Sequence, residues 1–352
     1  MSNIDQDKLN NFLGKVVSDV GAAMSAALVV LGDQLGLWRA LASSGPVTPA
    51  DLARRTETVE RYVREWLNAM AAGGYVAYDA QTERYRLEPE QAVALADAES
   101  PAFVPGLFQV TAAMWAAEAK IAANFRTGAG LMWGHHHPCL FEGTERFFRS
   151  GYLGNLVQAW LPALDGVVAR LERGSRVADV GCGVGASTII MAKAYPKSTF
   201  VGFDSHAASI ELARDRARAA GVADRVTFEV ASATDFPGDN YDLIAHFDCF
   251  HDLEDPRGAA AHARRAIAPD GTWLLVEPFA GDRPELNHNP VGRVFYSAST
   301  MLCVPHSLSQ HGPAIGAQAG EATLRDLVLG GGWARVRRAA ETPFNLVLEA
   351  RP

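Results

Sequence analysis

Val177-Ala178-Asp179-Val180-Gly181-Cys182-Gly183-Val184-Gly185-Ala186 is the stretch that decides the fold. An apolar run that ends in glycines reads as a buried strand followed by a sharp turn, and a turn without Cβ atoms lets a ligand touch the backbone. Gly181, Gly183 and Ala186 also satisfy the dinucleotide pattern G-x-G-x-x-G/A, a weak signal by itself. From Ser175 onward strands and helices alternate. The pattern predicts strands over 176–180, 199–203, 226–230, 241–247 and 272–277, and helices over 186–194, 207–220 and 256–267, the last capped by Asp255. An insertion of about forty residues precedes a helix near 321–329 and two strands near 336–340 and 345–350, joined by a turn containing Pro343. Such alternation implies an α/β fold, a mostly parallel sheet covered by helices, with an antiparallel pair closing one edge.

The N-terminal third reads differently. Thr48-Pro49-Ala50-Asp51 is a helix start, with a capping threonine, a proline at the first helical position and an acid at the positive dipole end. A second helix from about Val59 sets Val63, Trp66, Leu67 and Met70 on one face and stops at Gly73-Gly74. Two short strands follow, at Tyr75 to Tyr78 and Arg84 to Leu87, completing a winged-helix pattern. Between Thr48 and Glu90 six arginines face eight acids, so this module lacks the cationic surface that reads phosphates, and no nucleic-acid partner is expected. A dimerisation module is the favoured reading, with the apolar stretch Ala22 to Leu31 as a helix buried against a partner chain. The segment from about Ala92 to Leu171 reads as long helices with one irregular break around Thr127 to Cys139. The expected domains are therefore 1–90, a helical linker and lid at 91–170, and 171–352 with an acceptor-pocket insertion at about 279–320.

The whole chain has 352 residues, 48% of them hydrophobic and 20% charged, which excludes disorder and disulfide-rich miniature scaffolds. Its formal net charge of -8 opposes binding to phosphate backbones. The four cysteines stand far apart with no C-x-x-C pair, as suits reduced thiols. The longest early apolar run, Gly21 to Leu31, reads as too short to span a bilayer, so a cytoplasmic protein with no membrane partner is expected.

Asp179 separates the candidate ligands of the glycine loop. It ends the first strand where a dinucleotide would place its pyrophosphate, and a carboxylate repels two phosphate charges. S-adenosylmethionine carries no phosphate, and its sulfonium and ammonium groups favour an acid. Asp204 ends the next strand at about the spacing of a ribose-binding acid. With these residues in hand, D-x-G-C-G-x-G followed by an acid at the second strand end resembles the class I S-adenosylmethionine-dependent methyltransferases, from about residue 171 to the C-terminus. With its N-terminal module, the whole chain is similar to small-molecule O-methyltransferases that carry a winged-helix dimerisation domain. The resemblance implies a seven-stranded Rossmann-like sheet, a homodimer, and S-adenosylmethionine as cofactor with S-adenosylhomocysteine as product. It places Asp179, Gly181, Cys182, Gly183 and Gly185 along the methionine part and Asp204 with Ser205 on the ribose. Ser232 and Ala233 fall on the adenine side, where many relatives have an aspartate in place of Ser232, and Phe247 and Asp248 lie against the cofactor.

Phe247-Asp248-Cys249-Phe250-His251-Asp252-Leu253 follows the fourth strand of the alternating region and is similar to the H-D-W-x-D stretch of O-methyltransferases, with leucine in place of tryptophan. By that resemblance His251 is the general base and Asp252 its neighbour. Glu277, at the end of the fifth strand, is expected to orient His251 or bind the acceptor. Trp133, Phe147, Tyr152, Tyr296, Met301 and His306, with Cys303 and Gln310, are expected to build the pocket for a small-molecule methyl acceptor. His135, His137 and Cys139 would face one side of an extended chain, yet no zinc-ligand spacing frames them, and no metal is expected. Two other functions remain open on the residues alone: an S-adenosylmethionine-binding regulator acting through the winged helix, and an enzyme of this fold with non-methylating chemistry.

Overall fold

The structure, a computed structural model, describes residues 4–352. Two compact units emerge: the residues up to Ala112 together with Glu142–Ser150, and Ala113–Phe141 together with Gly151–Pro352.

In the first unit, helices Gln6–Gln34, Leu37–Ala42, Pro49–Arg55 and Glu60–Ala72 precede a hairpin of β1 (Ala77–Asp79) and β2 (Arg84–Arg86). Thr48 and Asp51 form a reciprocal capping box, and Pro49 occupies the first turn. Trp38 and Trp66 lie 4.6 Å apart. Their indole N–H groups donate to the carbonyls of Val29 (3.0 Å) and Leu28 (2.8 Å), which anchors the end of the first helix to the core. That helix is much longer than the apolar stretch at 22–31. Valines, leucines and small residues carry it back past Asp19, and by length and composition alone it is long and apolar enough to cross a bilayer. The apolar run at 22–31 thus forms part of a longer helix. Within this chain its side chains Phe12, Leu13, Val17, Val20 and Met24 are exposed.

The second unit holds a seven-stranded sheet of β3 (Arg176–Val180), β4 (Thr199–Asp204), β5 (Val226–Val230), β6 (Tyr241–Phe247), β7 (Ile267–Pro278), β8 (Arg335–Glu341) and β9 (Asn345–Arg351). Their order is β5-β4-β3-β6-β7-β9-β8. All pairs are parallel except those of β9, which runs antiparallel to both β7 and β8. Strand β9 thus inserts between β7 and β8, and β8 forms the edge. One core packs sheet residues such as Ile244, Trp273 and Leu275 against Ala259, Ala260 and Ala263 of helix Pro256–Ala266 and Leu324 and Val328 of helix Gly320–Gly330. Alanines on the first helix let its backbone approach closely, and each large side chain buried there contributes about 1.5–3 kcal/mol. Asp255 caps that helix through the Gly258 N–H, and Pro256 fills its first position.

Strand order reverses between β3 and β6, so the crevice above their carboxyl ends is the place where this architecture receives ligands. Asp179, Asp204, Phe247 and Glu277 all stand at or next to those ends. Gly202 in β4 keeps the crevice floor closed, because a Cβ there would stand 2.4 Å from Phe228 and 2.8 Å from the Cys182 sulfur. Gly202→Ala is expected to destabilise this unit by about 1–3 kcal/mol through overpacking; an unchanged denaturant midpoint would rule out that tight fit.

Candidate active site

Asp179 is 1% exposed. Its Oδ2 accepts hydrogen bonds from the hydroxyls of Ser187 and Thr188, both 2.6 Å away in the first turn of helix Ala186–Ala194. Its Oδ1 is buried with no partner among the described residues. Burial pushes the carboxyl up to about 6, although the two hydroxyls pull in the other direction. Between Asp179 and this helix, Gly181, Gly183 and Gly185 all adopt positive φ, at 75°, 53° and 82°. A Cβ on Gly181 would collide with the Cys249 sulfur and one on Gly185 with the Phe228 ring, whereas one on Gly183 would meet nothing within 4 Å. The turn is therefore packed from below at its two ends and open at its middle. Cys182 is buried within it.

Asp204 ties the second strand end to this turn. Its Oδ2 accepts from the Gly183 N–H (2.9 Å) and its Oδ1 from the His206 N–H (2.8 Å). Each oxygen keeps a lone pair for a further donor. Ser205 beside it is exposed. Beyond β5, the Ser232 hydroxyl lies 2.8 Å from both Asp235 and Thr234 and so closes a local turn, while Ala233 packs partly against the core.

The segment after β6 crosses next to the glycine turn, with the Cys249 thiol 3.5 Å from the Val180 carbonyl. Phe247 is buried beside Tyr152 (ring centroids 5.3 Å) and Trp160 (6.4 Å, stacked). Asp248 adopts φ 52°, rare for a residue with a side chain. Asn345 Nδ2 donates to its Oδ1 (3.1 Å), while Oδ2 is buried without a partner among the described residues. Burial first, and the Glu277 charge second, hold this acid well above the usual carboxylate range. His251 is 3% exposed, and its Nδ1 lies 2.6 Å from Glu277 Oε2. The other oxygen of Glu277 accepts the Phe250 N–H at 2.9 Å, so the carboxylate fixes both the ring and the backbone that carries it. Burial by itself would lower the His251 pKa, but the adjoining Glu277 carboxylate and Cys303 outweigh it, and the net shift is well upward. Asp252 is raised by burial, against the pull of His251 and His306.

The expected acceptor residues divide. Trp133 donates its backbone N–H to His306 Nδ1 (3.1 Å), and Gln310 Nε2 meets His306 Nε2 (3.1 Å). Tyr152 joins Phe247 in the aromatic wall, and Glu277 holds His251. Met301 packs against Ala117, Ile121 and Leu131 in a small apolar cluster of its own. Tyr296 is 37% exposed on helix Pro290–Ala298. Phe147 belongs to the other compact unit, where its ring meets Phe148. The chain at His135 to Cys139 is not extended. A tight turn at Trp133–His135 buries His136, whose burial pulls it down to about 4, and His137 Nδ1 sits 3.0 Å from the Cys139 sulfur. His135 lies in that turn and Cys139 begins helix Cys139–Asn155 after Pro138, so the extended chain on which the three would have faced one way is not formed.

Two contributions went unread in the sequence. Asn345 reaches Asp248 from 97 positions away. Phe141 stacks on His206 with centroids 5.0 Å apart. Cys303 stands beside His251 and Asp252, their ligand atoms all within 4.8 Å of one another. Cys303 is expected from the sequence among the acceptor-pocket residues.

Residues 23–97 match a family described as the Rv2258c-like winged HTH domain, and residues 171–311 match a methyltransferase domain family. The protein syc1184_c of Synechococcus sp. is 39% identical over 100 residues, 27% of this chain and 24% of that protein. The 27-O-demethylrifamycin SV methyltransferase of Amycolatopsis mediterranei is 34% identical over 118 residues, 32% of this chain and 43% of that protein. The chain thus spans less than half the length of these curated relatives. Mitomycin 7-O-methyltransferase MmcR matches with a TM-score of 0.70 at 21% identity, over 99% of this chain and 100% of that one. Human N-acetylserotonin methyltransferase, solved in complex with SAM, matches with a TM-score of 0.72 at 15% identity, over 99% and 98% of the two chains. At such identities the likeness is one of fold. The chain therefore joins a region matching the Rv2258c-like winged HTH domain to one matching a methyltransferase domain, and shares its fold with these solved methyltransferases.

Proposed function

We propose that this protein transfers the methyl group of S-adenosylmethionine to a hydroxyl of a small aromatic or natural-product-like acceptor. The observation that carries the reading is the buried, unpartnered Oδ1 of Asp179 beside a glycine turn. An acceptor-only oxygen in that place fits an ammonium and opposes a diphosphate. The relatives named for methylating rifamycin and mitomycin compounds support the acceptor class.

Bound S-adenosylmethionine supplies an electrophilic methyl on a sulfonium. Asp179 would accept the ammonium, the open backbone at Gly183 would lie against the methionine part, and Asp204 would take the ribose hydroxyls on its remaining lone pairs. Ser232 and Ala233 would flank the adenine. Phe247, Tyr152 and Trp160 form an apolar wall that keeps water from the reacting centre. Glu277 holds the Nδ1 of His251, which leaves Nε2 to receive the acceptor's proton. Incubation with labelled S-adenosylmethionine and a panel of phenols, carboxylic acids, amines and thiols tests the proposal; label appearing only on amines or thiols would overturn the hydroxyl assignment.

We also propose a homodimer formed through the exposed apolar side chains of helix Gln6–Gln34, a stripe too extensive to leave in water. Light scattering should give twice the chain mass for the wild type and the single-chain mass for Val17→Glu with Met24→Glu; a monomeric wild type contradicts it.

His251→Ala should lower turnover by about 100-fold or more with cofactor affinity nearly intact. Because Glu277 keeps the imidazole protonated to a higher pH than an ordinary histidine, the wild-type rate should rise along a limb above pH 6.5. Glu277→Gln should move that limb downward, and an unmoved limb assigns the base elsewhere.

Asp179 must ionise to hold an ammonium, and in the free protein it gains its proton below about pH 6. Calorimetric affinity for S-adenosylhomocysteine should therefore be constant at neutral pH and fall on acidification, by about tenfold per pH unit once the acid is mostly protonated. Affinity independent of pH would remove Asp179 from the contact.

A further inference from the structure

His136 is 6% exposed, and neither of its ring nitrogens has a hydrogen-bond partner among the described residues. Burial, with the charges of Lys120, His306 and His135 adding to it, pulls the ring down to about 4. At neutral pH the imidazole therefore carries one N–H donor and one bare lone pair. Burying both without partners is costly, and an apolar side chain of similar size would fill the same space without that cost. Packing alone does not account for a histidine at this position.

The chain around it is firmly placed. The Leu131 N–H donates to the Pro305 carbonyl (2.8 Å) and the Trp133 N–H to His306 Nδ1 (3.1 Å), which fastens the turn Trp133–His135 to helix Val304–Ser309. A Cβ on Gly130 would collide with the backbone of Pro305 and Ser309, so the two segments meet backbone to backbone. The same helix also reaches the segment after β6, where Ser307 Oγ donates to the carbonyl of Leu253 (3.1 Å), the residue that follows Asp252. The Trp133 ring flanks His136 with centroids 6.4 Å apart, and Phe141 lies 6.1 Å beyond Trp133. His306 acts electrostatically on His136, on Asp204 and on Asp252, so it is within reach of both the His136 turn and the strand ends that carry the acids.

We propose that His136 anchors the methyl acceptor at the end away from the reacting hydroxyl, by hydrogen-bonding a phenolic or carbonyl oxygen of an uncharged planar molecule whose ring lies against Trp133. The inference rests on the methyl-transfer reading for what the ligand is. A neutral imidazole offers no charge to a carboxylate, whereas its donor and its lone pair suit a hydroxyl or a carbonyl oxygen. A ligand entering beneath the turn supplies the partner that the free protein lacks, and a group satisfied only in the complex favours the bound state. His136 acts on binding; removal of the acceptor's proton stays with His251.

The test compares His136→Phe, which keeps a ring and removes both nitrogens, with His136→Gln, which restores an amide donor and acceptor. Fluorescence titration of the full-length, cofactor-free protein with the uncharged phenol umbelliferone gives the affinity, and para-hydroxybenzoate is the charged comparison. Umbelliferone should bind the wild type more tightly than para-hydroxybenzoate does, and bind His136→Phe about tenfold more weakly, with most of the affinity regained in His136→Gln. His136→Phe should melt no lower than the wild type and keep its affinity for S-adenosylhomocysteine, since it loses an unsatisfied polar group and no cofactor contact. A second measurement leaves the wild type intact: in protein labelled with ¹⁵N-histidine, the imidazole resonances missing from both variants should shift when umbelliferone is added. A wild type that binds neither compound or prefers the carboxylate, an affinity unaltered in His136→Phe, or resonances that do not move would each overturn the proposal. Binding is read here without cofactor, so its failure leaves methyl transfer to the labelling experiment, and failure of that experiment leaves this site standing.

Discussion

The second unit is organised around a carboxylate that is buried and only half satisfied. Asp179 lies in the middle of the sheet, where ionising it is costly, and two hydroxyls from the following helix hold one of its oxygens. Those bonds join the end of β3 to the start of helix Ala186–Ala194 and so set the length and path of the chain between them. Only a turn through repeated positive φ closes that path, which is why glycine stands at 181, 183 and 185. The oxygen left over is a buried acceptor beside the glycine turn, with no partner among the described residues.

The neighbouring strand ends extend the same logic. Asp204 accepts the Gly183 N–H, so the turn and the second strand move as one piece. Asp248, Asp252 and Glu277 add further acids along the edge, and His251 is the basic group set among them. An edge of this composition favours cationic partners and opposes anionic ones. It also keeps the histidine charged, and a proton acceptor in such a place works only once the pH, a ligand or a neutralising substitution relieves that hold. The Phe250 N–H bond to Glu277 matters as much as the ion pair, because it fixes the carboxylate whether or not the imidazole carries its proton.

Local chemistry made most of the second unit readable from the sequence. Strands and helices there follow short patterns of apolar residues, with caps at Asp255 and glycines after β3, and the structure places β3, β5 and β6 within the expected bounds. It extends β7 to Ile267–Pro278, because the chain between helix and strand pairs early with Tyr241. Asp179, Asp204, His251 and Glu277 were legible because each ends a strand or follows one closely, and strand ends in a parallel sheet share an edge. The first helix was underread because its apolar side chains are interrupted by charged and small residues that a search for one continuous run stops at.

What the sequence determined by itself is what depends on neighbours along the chain: the alternation of elements, the glycine turn, the caps, and the acids at the strand ends. Only tertiary structure decided which distant residues complete the site. Asn345 meets Asp248 because β9 inserts next to β7, Cys303 faces His251 because a π-helical turn re-aims it, and Phe147 falls into the first unit although its sequence neighbour Tyr152 lines the second. These depend on strand order, helix register and the division of one helix between two units. None of them is a property of a short stretch of chain, and for that reason no local pattern encodes them.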